Sequence, residues 1–411
     1  MCYIDIVGRY LSNPELEINP LDTEATINLS RNRYPVLIGG LLSALLFALL
    51  MNTYGWRQSA LFLVGLGAGV ALYHAAFGFT GAWRAVVNTG RGAGLRAQMI
   101  MLGATVLVFT PLIAQGELWG ISLRGNVYPL NLAVLCGAFI FGVGMQLGGG
   151  CASGTLFTAG GGNTRMVVTL AAFIAGSVIG AWHWSQWQDS PGFAAVSLQQ
   201  DYGMVAAIVI SMALFALIWF ISVVIEKRKH SQLVEKHSDN TTYSWFRGPW
   251  PLIAGALGLA AVNISTLMLA GRPWGITSGF ALWGSKLMMS TGFDVTSWEY
   301  WQRPSYAAAL DESVLSNTTS VMNIGILLGA LIAAGLARKY SPTFKLPLRS
   351  LSAAIIGGLL MGYGARIAFG CNIGAFFSGV GSASLSGWLW FVAAFMGSII
   401  GTRLRPRFGL D

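Results

Sequence analysis

"GVGMQLGGGCASGTLF", Gly142 to Phe157, interrupts an apolar run with three consecutive glycines and a cysteine. "GYGARIAFGCNIGAFF", Gly362 to Phe377, makes nearly the same interruption much later. At a fixed offset Gly142 falls on Gly362, Gly144 on Gly364, Gly150 on Gly370, Cys151 on Cys371, Gly154 on Gly374 and Phe157 on Phe377; upstream, Gly137 falls on Gly357. Glycine is a poor helix former, so each stretch predicts a broken helix ahead of a cysteine. A weaker pair lies earlier in each half. "FGFTGAW" (Phe77 to Trp83) and "WGITSGF" (Trp274 to Phe280) set Gly78 and Thr80 against Gly275 and Thr277 in aromatic-Gly-x-Thr units. The order is the same twice, so the chain carries an internal repeat.

The surrounding composition places both breaks in a membrane. The 411 residues are 54% hydrophobic and only 10% charged, with mean hydropathy +0.61; a soluble domain carries about 25% charge. Apolar runs of bilayer length predict ten spans, near 35–52, 58–80, 97–114, 130–150, 166–184, 203–225, 250–270, 317–337, 350–369 and 384–402. Segment 272–290 is apolar but glycine-interrupted and reads as a re-entrant piece. The expected fold is therefore an all-α polytopic membrane protein. Its expected divisions are a polar, loosely ordered tail (1–34), an extra first helix (35–57) and a first repeat (58–185). A connecting span with a basic loop (186–249), a second repeat (250–402) and a basic tail (403–411) follow. No secretory signal is expected, since the first 34 residues lack an apolar core.

Lys and Arg collect in alternate loops. Arg84, Arg91 and Arg96 fall in one, Lys227, Arg228, Lys229, Lys236 and Arg247 in the central one, and Arg338, Lys339, Lys345 and Arg349 in a third. Arg403, Arg405 and Arg407 mark the C-terminal tail, whereas the loops around Asp189 and Asp294 are acidic and aromatic. Positive charge stays on the cytoplasmic side, which predicts both termini inside. The first Gly-Cys span then runs inward and the second outward, which makes the repeats inverted. The net charge of +9 is mostly this topology signal, and nucleic acid is not an expected partner. Trp245, Trp250, Trp298, Tyr300 and Trp301 read as an interfacial belt.

A Gly-rich break frees the first N–H groups of the short helix that follows it, and these with the helix dipole favour an anion. Two such ends from inverted halves would meet at a central constriction, hourglass-like, with Cys151 and Cys371 at its edges. Gly150, Gly370, Gly154 and Gly374 give room; Ser153 and Asn372 bring hydrogen-bonding groups; Gly78, Thr80, Gly275 and Thr277 add the second pair of helix ends. Arg366 is a charge inside an apolar run, usually functional, although its repeat partner Gln146 is neutral. For single glycines, close helix packing is the competing reading; Lys286 reads equally as an anion attractor or an interface marker. No P-loop, HExxH or dinucleotide motif is present, and the four cysteines, Cys2, Cys136, Cys151 and Cys371, are too dispersed for a metal site. The chain reads as no enzyme, with no cofactor and no metal, and with membrane lipid around it.

At these residues the chain resembles the YeeE/YedE family of bacterial inner-membrane proteins. "FGVGMQLGGGCASGTLFTAG" is similar to that family's G-x-G-x-x-L-x-G-G-C-x-x-G core, and "GGLLMGYGARIAFGCNIGAFFSG" to its YedE-type form. "WGITSGFALWGSKLM" and "SLSGWLWFVAAFMGSIIGTRL" extend the resemblance, which covers most of 58–402. It implies short half-helices meeting at a constriction and uptake of a small sulfur-containing anion, thiosulfate first, with Cys151 and Cys371 as the thiols that guide it. It also implies a cytosolic sulfur carrier of the TusA type as partner. Family members commonly carry a further cysteine where this chain reads "AAFGFTGAWR", at or next to Gly78. That departure keeps open a permease for a selenium compound or another sulfur oxyanion. A membrane thiol redox enzyme or sensor is a third reading, and requires the sulfurs within bonding distance.

Overall fold

In hydrocarbon every backbone N–H and C=O must be paired within the protein, and the long apolar runs satisfy this as helices. The structure, a computed structural model, describes residues 20–233 and 244–410; Cys2 and Lys236 lie outside them. The longer helices are α1 (Pro20–Tyr54), α2 (Trp56–Ala75), α3 (Phe79–Thr89), α4 (Ala93–Gln115), α5 (Leu132–Gly148), α6 (Ala152–Gly160) and α7 (Thr164–Trp182). After them come α8 (Met204–His230), α9 (Leu252–Ala270), α10 (Thr277–Ser290), α11 (Pro304–Asp311), α12 (Thr318–Leu336), α13 (Leu348–Ile367) and α14 (Leu385–Leu404). Ten segments among the described residues are long and apolar enough to cross a membrane. Two-residue strand pairs, Glu117–Leu118 with Ile121–Ser122 and Leu130–Asn131 with Gly192–Phe193, merely close loops. The protein is an all-α polytopic membrane protein.

Several local expectations are corrected. The tail expected over 1–34 is helical from Pro20 onward and continuous with the first span; a helix nucleated by its apolar part extends at little cost into helix-compatible polar residues. The span expected over 58–80 stops at Ala75, Ala76 turns left-handed (φ 44°), and Gly78 caps a new helix, α3. Arg84 and Arg96 are helical residues rather than loop bases. Tyr300 and Trp301 are not belt residues but lie buried, packed with Trp184 and Leu310. Lys286, read equally as an anion attractor or an interface marker, is engaged within the protein. Its ammonium donates to the carbonyls of Leu310 (2.5 Å) and Glu312 (2.7 Å) at the C-terminal end of α11, where a cation is favourable.

The two Gly-Cys halves pack through matched glycines. A Cβ on Gly144 would lie 2.8 Å from the Gly357 carbonyl, and one on Gly364 would lie 2.4 Å from that of Gly137. A Cβ on Gly142 would lie 2.1 Å from the Ala394 carbonyl oxygen of α14, and one on its counterpart Gly362 2.2 Å from the Phe173 carbonyl oxygen of α7. The contacts exchange partners between halves: α5 crosses α13 and α14, while α13 crosses α5 and α7. Without a hydrophobic drive between helices in lipid, backbone approach of this kind holds a bundle together. For Gly137, Gly142, Gly144, Gly357, Gly362 and Gly364 the packing reading is therefore the right one.

Candidate functional site

Both breaks end their helices as the glycines dictate. Helix α5 closes on Gly149 in the left-handed region (φ 93°), and Gly370 after α13 takes φ 152°; both conformations are costly for a residue with a Cβ. Each break then delivers a cysteine as N-cap of a short helix. Cys151 (φ −76°, ψ −170°) precedes α6, and Cys371 (φ −110°, ψ −168°) precedes Asn372–Phe377, a π-helical turn that runs into Ser378–Gly381. The sequence offers no sign of the π turn, a form often found at functional sites. Both thiols are free and buried, no disulfide joins them, and they belong to one core cluster.

The amides of Ser153, Gly154 and Phe79 face the Cys151 thiol, so two helix starts, α6 and α3, converge on it. Ser153 Oγ lies 3.3 Å from Cys151 Sγ. The amides of Ile373 and Gly374 face Cys371. A Cβ on Gly374 would touch Gly275 Cα at 3.7 Å, which places the stretch ahead of α10 against the second break. Space is distributed unlike that at the packing glycines: a Cβ on Gly78 or Gly275 would meet nothing within 4 Å, and one on Gly154 only the Cys151 sulfur. Gly150 is tighter, at 3.0 Å from the Gly154 carbonyl carbon. Room therefore opens beside both thiols. Polar capacity is left over there as well: both amide atoms of buried Asn372, and the hydroxyl of Thr80, have no partner.

Two residues judged inequivalent in sequence do similar work. Gln146 Nε2 donates to the Thr80 carbonyl (3.1 Å) in the first turn of α3. Arg366 Nη2 donates to Thr277 Oγ1 (3.3 Å) at the start of α10, and Nη1 to the Tyr300 hydroxyl. The neutral partner of Arg366 is thus a positional counterpart after all. Sequence reasoning missed further braces. Asn263 accepts from the Trp274 amide (2.8 Å) and donates to Ser378 Oγ (3.1 Å), and Asn323 donates to the Ile276 carbonyl (3.0 Å). Their signal was available: an Asn in an apolar span is costly unless paired.

Behind the thiols stands an aromatic wall. Phe376 stacks on Phe391 (centroids 4.9 Å) and receives the edges of Phe79 (6.1 Å) and Trp83 (6.1 Å). Among the described residues no group of three His, Cys, Asp or Glu stands close enough to hold a metal.

Comparison with known proteins identifies relatives over most of the chain. The thiosulfate transporter TsuA of Spirochaeta thermophila is 29% identical over 347 residues, 82% of this chain and 95% of its own. TsuA of Escherichia coli is 22% identical over 346 residues, covering 82% and 91%. The probable transporter YedE of Escherichia coli is 29% identical over 161 residues, 39% of either chain. The family profile described as "Sulphur transport" matches residues 74–400, from the end of α2 to the end of α14. With two glycine-broken helices, each delivering a buried thiol at a helix start, the chain belongs to this sulphur transport family of membrane transporters, which are not enzymes.

Proposed function

We propose that the chain imports a small sulfur-containing anion, thiosulfate first, between Cys151 and Cys371 at the level of the helix breaks. The observation that carries this reading is the matched placement of the two thiols as N-caps of buried short helices, with open space at Gly78, Gly154 and Gly275. Helix N-termini offset part of a dianion's charge. A neutral thiol is a weak donor, so it guides an anion without trapping it, as conduction requires. Gly150, Gly370 and Gly374 let the backbone approach, while Ser153, Asn372, Thr80 and Thr277 supply polar contacts. The halves are inverted repeats in this reading, supported by the loop charges and by exchanged glycine contacts, and both termini face the cytoplasm of a bacterial inner membrane. A TusA-type carrier is the partner that would receive the sulfur inside.

Uptake of labelled thiosulfate by cells lacking other importers tests the proposal. Cys151→Ala and Cys371→Ala are each expected to abolish uptake at normal protein level, and full activity in both removes the thiol passage. A second reading, a permease for a selenium compound or another sulfur oxyanion, is favoured by glycine at position 78. Growth on thiosulfate compared with sulfite, sulfate and selenite uptake separates the two.

A further inference from the structure

The mouth beside Cys371 is electrically unlike its counterpart beside Cys151. Near Cys151 the arginines are tied to carbonyl groups. Arg165 donates Nη1 to Gly148 O (2.7 Å), Nη2 to Leu147 O (2.7 Å) and Nε to Ser350, while Arg405 donates to Gln146 O (2.7 Å). They neutralise the C-terminal end of α5. Near Cys371, three guanidiniums have only hydroxyls, aromatic faces and one long carbonyl contact. Arg366 is 5% exposed, its Nε has no partner, and its charge lies 5.0 Å from the Tyr300 ring centre. Arg303 lies 4.7 Å from that same ring centre, and 4.9 Å and 4.1 Å from those of Trp184 and Tyr306; its Nε reaches the Tyr300 carbonyl at 3.4 Å. Arg272 donates Nη2 to Thr319 Oγ1 (3.1 Å) and lies within electrostatic reach of Tyr306 and Tyr128.

One tyrosine ring thus serves two guanidiniums, and none of the three arginines makes an ion pair; Arg96–Glu226 is the pair found among the described residues. Arg303 lines a cavity of about 550 Å³ together with Trp184, Asn131 and Phe369, and shares the Tyr300 ring with Arg366. Glu299 also lines the cavity and makes no ion pair with Arg303. Phe369, the cavity's inner wall, stacks on Tyr128 (4.7 Å) and stands two residues before Cys371. Burial pushes the Tyr128 phenol up to about 12 and raises that of Tyr300. Both lie in connections between spans and remain protonated donors at neutral pH.

Like charges held together in a partly desolvated space are unfavourable unless an opposite charge joins them. The geometry points to a second anion site here, outside the thiols: Arg272, Arg303 and Arg366, with the hydroxyl of Tyr128, hold a divalent oxyanion before it reaches Cys371. Guanidiniums recognise the oxygen face of such an ion and do not read its soft sulfur, so sulfate and thiosulfate both bind. Discrimination between them is left to the thiols beyond. This site rests on the transport reading only for its purpose, not for its binding.

Equilibrium binding of labelled thiosulfate to the purified full chain, competed by sulfate, tests it. The Cys151→Ala/Cys371→Ala protein is expected to retain saturable binding that sulfate displaces and that chloride at equal ionic strength does not. In that background Arg303→Gln, Arg272→Gln and Arg366→Gln each weaken binding by about tenfold or more, the scale of a charge-assisted contact. Arg303→Lys keeps the charge and loses less. Loss of all saturable binding on removing the cysteines, or wild-type binding in the arginine variants, overturns the site. Wild-type protein that binds but does not take up thiosulfate in vesicles overturns the transport reading and leaves the site standing.

Discussion

Gln146 and Thr80 are joined across the bundle by a 3.1 Å hydrogen bond from the side-chain amide to the carbonyl, and Gln146 also donates to Ser398 Oγ at 2.6 Å. Through that bond the middle of the protein holds the start of α3, whose Phe79 amide faces the Cys151 thiol. Gln146→Met keeps the volume and removes the donor. A buried acceptor left unpaired costs about 1–3 kcal/mol, enough to let the helix start drift from the sulfur. Thiosulfate uptake is expected to fall about tenfold with protein level retained, whereas Ser398→Ala, which leaves the Thr80 bond, has a smaller effect. Equal effects in the two variants count against a brace acting through Thr80.

Matched packing glycines should fail alike. A Cβ at Gly142 would come within 2.1 Å of the Ala394 carbonyl and one at Gly362 within 2.2 Å of the Phe173 carbonyl. Backbone cannot yield as a side-chain end does, so Gly142→Ala and Gly362→Ala are each expected to cost about 1–3 kcal/mol or more. Melting of detergent-solubilised protein reads this directly. Gly78→Ala is the contrast, since its Cβ meets nothing within 4 Å, and its melting point is expected to stay at that of the parent.

These glycines show how far sequence could reach. The repeat, both breaks and the cysteine positions were legible, because a glycine run inside an apolar span has few uses. Which glycines pack and which break was not legible, since both roles ask for a missing side chain and differ only in what lies opposite. Ten crossings followed from hydropathy, but the stop at Ala75 did not: the residues on both sides of it are apolar, and only Gly78 hinted at a new start. Arg366 was recognisable as a costly buried charge. Its company of Arg272, Arg303 and Tyr300 arises from loops distant in sequence, which no periodicity connects.

Glu226 is wholly buried near the end of α8, a carboxylate that sequence reading passed over because it adjoins the basic run Lys227–Lys229. Arg96 Nη1 donates to it at 2.6 Å and the Gly92 amide at 3.1 Å, which fastens the connecting helix to the first half. Breaking a buried pair by removing one partner typically costs about 3–5 kcal/mol, while apolar replacement of both is often neutral. Glu226→Gln and Arg96→Met are therefore each expected to lower the melting point sharply, and Glu226→Leu with Arg96→Met to recover most of it. Uptake by the double variant, compared at several pH values, is expected to follow the parent profile. A shifted profile would assign the carboxylate a part in proton movement instead of anchoring.

The last expectation concerns Gly78, the position at or next to which the family resemblance implies a cysteine. Its backbone is extended (φ −148°, ψ 140°), a conformation open to any residue. The space beside it is free, and the next amide, that of Phe79, already faces the Cys151 sulfur. Gly78→Cys should therefore fold at normal level and bring a third thiol to the α3 helix start. If the anion moves by exchanging weak thiol contacts, a third donor shortens the gap it crosses without deepening any one site. Uptake at limiting thiosulfate, measured under reductant to prevent thiol pairing, is expected to rise several-fold, with Gly78→Ser giving a smaller gain because its hydroxyl matches the soft sulfur less well. An unchanged rate at equal protein level would mean that two thiols already suffice, and that glycine here serves the fit of a different anion.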